Sequence, residues 1–341
     1  MNLWFAFKRL LLGFALIIIA AGILLVSDWN GNPSLVTAAK PLNRIWQVSI
    51  VRYIDSPAAE DTEQGLLDGF RESGLVDGRD YKLSSRSAQG DIATLNGIVE
   101  AVRSDGTDLM IVLSTPTLQT AAKKIQKMPI VFALIANAFI AGAGRTNEDH
   151  LPNVTGSTIL SPFEEMVALV REVLPNARSC GTVFTPAEVN SAYNHDAFVE
   201  TGLKANLEIT SVAATSSSDV SDAALALTTR KIDAVCQISD NLTSATFTTI
   251  ANAARRAKLP VFSFNSPQVN QGAHIVLSRD FRDGGRESAL LAARIMQGES
   301  PATIPFKPTT RTRLLINTTT ARSAGLTIPR PVLERADELI K

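Results

Sequence analysis

The sequence predicts an α/β protein of two doubly wound parallel-sheet units in tandem, behind an N-terminal transmembrane or signal helix. Three observations carry this. Short apolar runs alternate with amphipathic stretches of helical period, the alternation breaks at a Gly-rich polar passage over residues 140–152, and it then restarts. Alternation at this spacing implies parallel strands joined by right-handed crossovers.

The elements follow in order. Val48–Val51 reads as a strand, and Ser56-Pro57 opens a helix that turns Leu66, Leu67 and Phe70 inward and closes near Gly74. Tyr81–Ser85 is a weaker strand, and Asp91 caps a helix with Ile92, Leu95, Ile98, Val99 and Val102 on one stripe. Leu109–Leu113, Pro129–Leu134 and Asn153–Gly156 complete the first set of strands. Ser161-Pro162-Phe163-Glu164 has the form of a capping box, and its helix runs to Pro175. Strands then fall at Cys180–Phe184, Ile209–Ala213, Ala234–Ile238, Val261–Phe264 and Ala273–Leu277. Helices near 191–205, 220–229 and 244–257 separate them. A helix over Asp283–Gln297, a proline-rich passage, a strand at Leu314–Ile316 and two short helices end the chain.

The stretch Leu109–Thr120 organises the first unit. Five apolar residues are too few for a helix and read as a strand buried on both faces, which puts Ser114 and Thr115 at its carboxyl end. Thr115 can cap the helix that follows and Pro116 suits its first turn, so free N–H groups and the positive dipole end face the loop. That arrangement favours an anionic or acceptor group of a ligand.

The chain is long enough for two domains, and its 33 Lys and Arg equal its 33 Asp and Glu. With no basic excess to neutralise phosphates, nucleic acid is not an expected partner. Lys8-Arg9 precede seventeen uncharged residues, Leu10–Val26, the lower limit for a spanning helix and just above a usual signal-peptide core. Either reading exports the body. The poor small-residue cleavage pattern at Leu25-Val26-Ser27 favours an uncleaved anchor, so the expected location is periplasmic or extracytoplasmic, tethered to the inner membrane. Residues 28–44 form a polar tether. The only cysteines, Cys180 and Cys236, fall in strand interiors: buried thiols, or a disulfide if the strands bring them together.

Ligands of open parallel sheets bind beyond the carboxyl ends of the strands. The polar residues there are Tyr53, Asp55, Ser114, Thr115 and Asn137 in the first unit, and Asn190, Ser191, Asp240, Asn241, Asn265 and Ser266 in the second. A small polar or zwitterionic ligand would set its carboxylate, or an equivalent acceptor, at Ser114, Thr115 and the amides after Pro116. Its ammonium or a hydroxyl would meet Asp240, with Asn190, Ser191 and Asn241 as neutral partners. Asp240 is also placed to cap the helix near Ser244.

These segments resemble the bacterial ABC-transporter substrate-binding proteins of the type I periplasmic binding fold, in the group that includes tryptophan-binding lipoproteins. The resemblance runs from about Ile45 to Ile340. It rests on Asp55-Ser56-Pro57, Ala88-Gln89-Gly90-Asp91, Ser114-Thr115-Pro116 with Gln119, Pro129-Ile130-Val131-Phe132 and Asn153-Val154-Thr155-Gly156. Further along it rests on Glu172 to Ala177, Asn190-Ser191, Asp240-Asn241, Leu259-Pro260-Val261-Phe262 and Gly298 to Pro301. It implies two lobes joined by three crossings, near Ser157, Ser278 and Thr312, that close on a small polar ligand such as an amino acid, with an ABC permease and ATPase as partners. Lobe 1 would then hold residues 45–157 plus 279–312 and lobe 2 residues 158–278 plus 313–341, behind a leader at 1–27. Two loops depart from the family pattern: Asn137-Ala138 stands for Asp-Pro, and Phe264-Asn265-Ser266-Pro267 for an acidic loop. Fewer carboxylates leave less charge to hold an ammonium group. No cysteine near the leader is available for lipid attachment.

An enzyme is not expected. His150, His195 and His274 lack metal spacing, no Gly-x-Ser-x-Gly elbow occurs, and Gly142-Ala143-Gly144 lacks the third glycine of a dinucleotide loop. No cofactor or metal is implied. The alternative function is a membrane-tethered ligand-sensing module that signals through a separate membrane partner.

Overall fold

The computed structural model describes residues 42–341 together with Trp4. The proposed anchor Leu10–Val26 lies outside the described residues, as does most of the tether. No helix among the described residues is long and apolar enough to cross a membrane.

In chain order the first unit contains β1 (Trp46–Arg52), α1 (Pro57–Glu72), β2 (Tyr81–Ser87), α2 (Ile92–Ser104), β3 (Leu109–Leu113), α3 (Thr115–Lys124), β4 (Ile130–Ile135) and β5 (Val154–Thr158). Then come α4 (Phe163–Val173), β6 (Ser179–Phe184), α5 (Val189–Lys204), β7 (Glu208–Ala213), α6 (Asp219–Thr228), β8 (Ala234–Gln237), α7 (Asn241–Ala245), α8 (Phe247–Arg256), β9 (Val261–Ser263) and β10 (Ile275–Arg279). The chain closes with α9 (Phe281–Met296), β11 (Lys307–Pro308), β12 (Thr312–Asn317), α10 (Thr318–Ser323), α11 (Arg330–Glu334) and β13 (Glu338–Ile340).

One sheet runs β11-β5-β4-β3-β1-β2 and the other β13-β12-β10-β9-β8-β6-β7. Strand order reverses between β1 and β3 in the first sheet and between β6 and β8 in the second, and these are the points where ligands bind in such folds. The five parallel strands expected in each unit are all present. Returning segments add β11 to one sheet and β12 and β13 to the other, and β12 runs antiparallel to β10. The C-terminal stretch therefore ends in a strand, three residues too short to carry a periodic signal.

The strand β3 is buried on both faces, as its composition requires. Leu109, Ile111 and Leu113 pack with Leu66, Phe70 and Leu291 on one side, while Met110 and Val112 pack with Leu95, Val99 and Leu118 on the other. In the second sheet Cys180 and Cys236 lie in one core with Phe163 and Phe198; both are free thiols, and burial pushes Cys180 up to about 12. Of the two readings the cysteines allowed, buried thiols is the one observed.

The helix α9 follows β10 of the second sheet yet packs on α1 of the first. A Cβ added at Gly65 would lie 2.0 Å from the Arg282 carbonyl oxygen, and one at Gly285 2.1 Å from that of Thr62, so the two backbones touch. Arg282 pairs with Asp68 at 2.5 Å and Arg286 with Glu72 at 2.7 Å along the flank. The chain thus passes between the sheets three times: after β5, after β10 and between β11 and β12.

Helix starts follow the sequence at Ser56 and Asp91 and depart from it at Ser161, and one expected helix is broken in two. Ser56 accepts from the Ala59 amide at 3.3 Å and Asp91 from the Thr94 amide at 2.6 Å. The Ser161 capping box does not form: Pro162 is the cap residue of α4 and makes no side-chain cap bond, which leaves Ser161 at the cleft. The single helix expected over 244–257 is two, because Thr246 leaves helical geometry at φ −112 between α7 and α8.

Candidate functional site

A cavity of about 60 Å³ lies where the carboxyl ends of the two sheets meet. On the first-lobe side, Ser114 rather than Thr115 is the cap residue of α3; Thr115 is its first helical residue. Ser114 has φ 81 and ψ 153, a region that residues with a Cβ avoid, and its side chain caps nothing. Its Oγ lies 3.3 Å from Thr117 Oγ1. The first helical bond of α3 is Leu118 N to Ser114 O at 3.2 Å, so the amides before it have no intrahelical acceptor. Leu134, in the wall of the same cavity, also has positive φ (57), where the pairing of β4 with β5 shifts register. Two backbone strains of order ~1–3 kcal/mol each converge on one site.

On the second-lobe side the wall is rich in acceptors. Asp240 is 5% exposed and caps α7: its Oδ1 accepts from the Thr243 amide at 2.7 Å and from Thr243 Oγ1 at 2.6 Å, and its Oδ2 accepts from Ser191 Oγ at 2.7 Å. Burial, then the nearby Glu188 carboxylate, pushes its pKa up to about 7. Glu188 reaches the same helix end, accepting from the amides of Asn241 at 3.0 Å and Leu242 at 3.1 Å.

Three asparagines complete this wall. Asn190 donates its amide to Glu188 at 3.3 Å, Asn194 to the Ser239 carbonyl at 2.7 Å and Asn265 to Ser244 Oγ at 3.1 Å. The first two acceptors are a carboxylate and a carbonyl, which fixes which end of each amide is nitrogen. The side-chain oxygens of all three are buried and have no hydrogen-bond partner. Buried orphan acceptors are rare in folded proteins, and three around one cavity call for donors from a ligand. Between the two polar ends the lining is apolar, from Ala58, Leu134, Ala136, Ile159, Phe264 and Phe281, with Arg279 at the hinge.

The cavity brings together Ser114, Thr115, Asn190, Asp240, Asn241 and Asn265 from among the residues singled out in the sequence. The others stand outside its lining. Tyr53 donates to the Gly90 carbonyl at 2.6 Å, and its phenol is shifted up by burial and then by Glu188, which places it near the opposite lobe. Asp55 is exposed and pairs with Arg52 at 2.5 Å. Asn137 folds back to accept from the Phe139 amide at 2.9 Å. Ser191 lies beneath the wall and holds Asp240, and Ser266 lines a separate depression with Pro267 and Arg313. Sequence reading missed Asn194, Glu188, Ser239, Ser244, Arg279 and Phe281. Asn194 was within reach of it, since it follows Asn190 by one helical turn on the same face. Among the described residues no group of three or more His, Cys, Asp or Glu could hold a metal ion.

Residues 47–340 match the sequence model of the ABC transporter substrate binding protein family. The chain belongs to that family. A relative from Clostridioides difficile described as a tyrosine-binding protein is 26% identical over 316 residues, covering 91% of this chain and 91% of the relative. Among solved structures, a conserved domain protein of Vibrio cholerae O1 biovar El Tor is 30% identical with a TM-score of 0.83, covering 87% of this chain and 100% of that one. An ABC domain from Streptococcus pneumoniae in complex with L-Trp has a TM-score of 0.80 at 24% identity, covering 86% of this chain and 100% of that one, and shares the fold. The fold is that of type I periplasmic binding proteins.

Proposed function

We propose that this protein is the solute-binding component of an ABC importer and that its lobes close on a small zwitterionic solute, an amino acid. The observation that carries the ligand class is the polarity of one cavity: helix α3 presents free amides and two hydroxyls at one end, while Asp240 and three unpartnered asparagine oxygens stand at the other. A carboxylate matches the first end and an ammonium group the second. The apolar walls, including Phe264 and Phe281, suit an uncharged side chain. The names of the relatives, which bind tyrosine and L-Trp, support the same class.

The partners in this reading are an ABC permease and its ATPase, and the body works outside the cytoplasmic membrane, held by Leu10–Val26. What supports the tether is the positive flank and the length of that uncharged run. We assign lobe 1 to residues 45–157 plus 279–312 and lobe 2 to 158–278 plus 313–341. Calorimetry of the exported body against a panel of L-amino acids, with sugars and nucleosides as controls, tests the ligand class. Saturable binding of an amino acid supports it, and binding of a control solute with no response to any amino acid overturns it.

A further inference from the structure

We propose that Arg279 is a positioning residue of the cleft, whose guanidinium clasps all three crossings and fixes how far the lobes open. Arg279 is the last residue of β10, on the second crossing. Its Nε donates to the Leu160 carbonyl at 3.1 Å, two residues beyond β5 on the first crossing. Its Nη1 donates to the Thr310 carbonyl at 2.9 Å and to Thr312 Oγ1, both on the third. Nη2 faces Glu165 of α4 at 3.7 Å.

These contacts act as a unit because the guanidinium is planar and holds its five donors in a fixed fork. Lobe closure in a hinged protein is absorbed by φ/ψ changes in a few connecting residues. Here Leu160 and Thr310 lie just past the ends of first-sheet strands, and Arg279 and Thr312 are paired in the second sheet. Any rotation of one sheet against the other moves the two carbonyls relative to the fork, so each opening angle is favoured only as far as the fork still reaches them. Its side chain is 19% exposed. Arg279 also lines the cavity beside Ile159 and Phe281, which joins the hinge geometry to the ligand's space. The clasp concerns lobe opening and holds whichever solute binds.

The test measures lobe separation directly, in protein without added ligand. Spin labels go at Ala101→Cys on α2 and Asp222→Cys on α6, both exposed, while the native Cys180 and Cys236 are buried. Arg279→Ala is expected to broaden the inter-label distance distribution and shift it, at an otherwise native circular dichroism spectrum. Arg279→Lys, which keeps the charge and loses the fork, is expected to stay broad. A distribution for Arg279→Ala that superimposes on the parent overturns the clasp, and so does full restoration by Arg279→Lys. Should Arg279→Ala fail to fold, Thr312→Val removes one acceptor only; a smaller broadening supports the clasp and an unchanged distribution overturns it.

Discussion

Ser191 Oγ stands 2.7 Å from Asp240 Oδ2 and itself accepts from the Thr185 amide at 2.8 Å, so a hydrogen-bonded chain from β6 pins the one carboxylate in the cleft wall. Asp240 therefore has a fixed position before any ligand arrives, with both oxygens already engaged. What it lacks is a cation. Burial and Glu188 oppose its charge, and a ligand ammonium is the group that would relieve this.

The first prediction concerns pH. A carboxyl whose folded pKa is raised, here from 3.8 to about 7, stabilises the fold fully below the lower value and loses that contribution as pH rises through the upper one. In protein without added ligand the contribution of Asp240 to the melting temperature should therefore fall between about pH 4 and about pH 7, so that Asp240→Asn shifts the pH slope of the melting temperature upward relative to the parent over that range. A slope unchanged in the variant, followed by calorimetric or optical melting, would show that Asp240 is not its source.

A second prediction separates strain from binding at Ser114. Glycine tolerates φ 81 with ψ 153, so Ser114→Gly should raise stability by about 1 kcal/mol. The Ser114→Ala, Thr115→Ala double variant should instead weaken amino-acid binding roughly tenfold. Denaturant melts and titration calorimetry read the two effects apart.

Gly65 gives a third prediction, on architecture. Because α1 and α9 touch through backbone, Gly65→Ala must force them apart and should cost about 1–3 kcal/mol. A melting temperature equal to that of the parent would mean that α9 does not hold to α1 as described.

Asn194 tests the orphan acceptors. Replacing it by Ala removes an unpartnered buried oxygen together with its bond to the Ser239 carbonyl, so stability should change little while affinity for an amino acid falls. Equal affinity in Asn194→Ala and parent would remove this residue from the ligand's surroundings.

Much of this was legible in the chain itself, for physical reasons. Five consecutive apolar residues before Ser114 are too few for a helix and read as a strand buried on both faces, and that places Ser114 and Thr115 at a sheet's carboxyl end; Asp240 follows β8 in the same way. Polar residues at strand ends look alike in sequence, however. Asn137 and Ser266 carry the same signal as Asn190 and Asn265, and only the direction each loop takes decides which of them line the cavity. Arg279 was invisible because its partners are 119, 31 and 33 residues away. The cap at Ser114 rather than Thr115 turns on one backbone angle, which no propensity for serine predicts.

The most direct measurement takes the L-amino acid that binds most tightly and compares it by calorimetry with its amide, which lacks the carboxylate, and its des-amino acid, which lacks the ammonium group. If the cleft holds a zwitterion between the α3 N-terminus and Asp240, each analogue should bind at least about tenfold more weakly, and Asp240→Asn should narrow the gap only for the des-amino compound. Analogues that bind as well as the parent amino acid would contradict the proposed orientation and the two-ended polarity of the site with it.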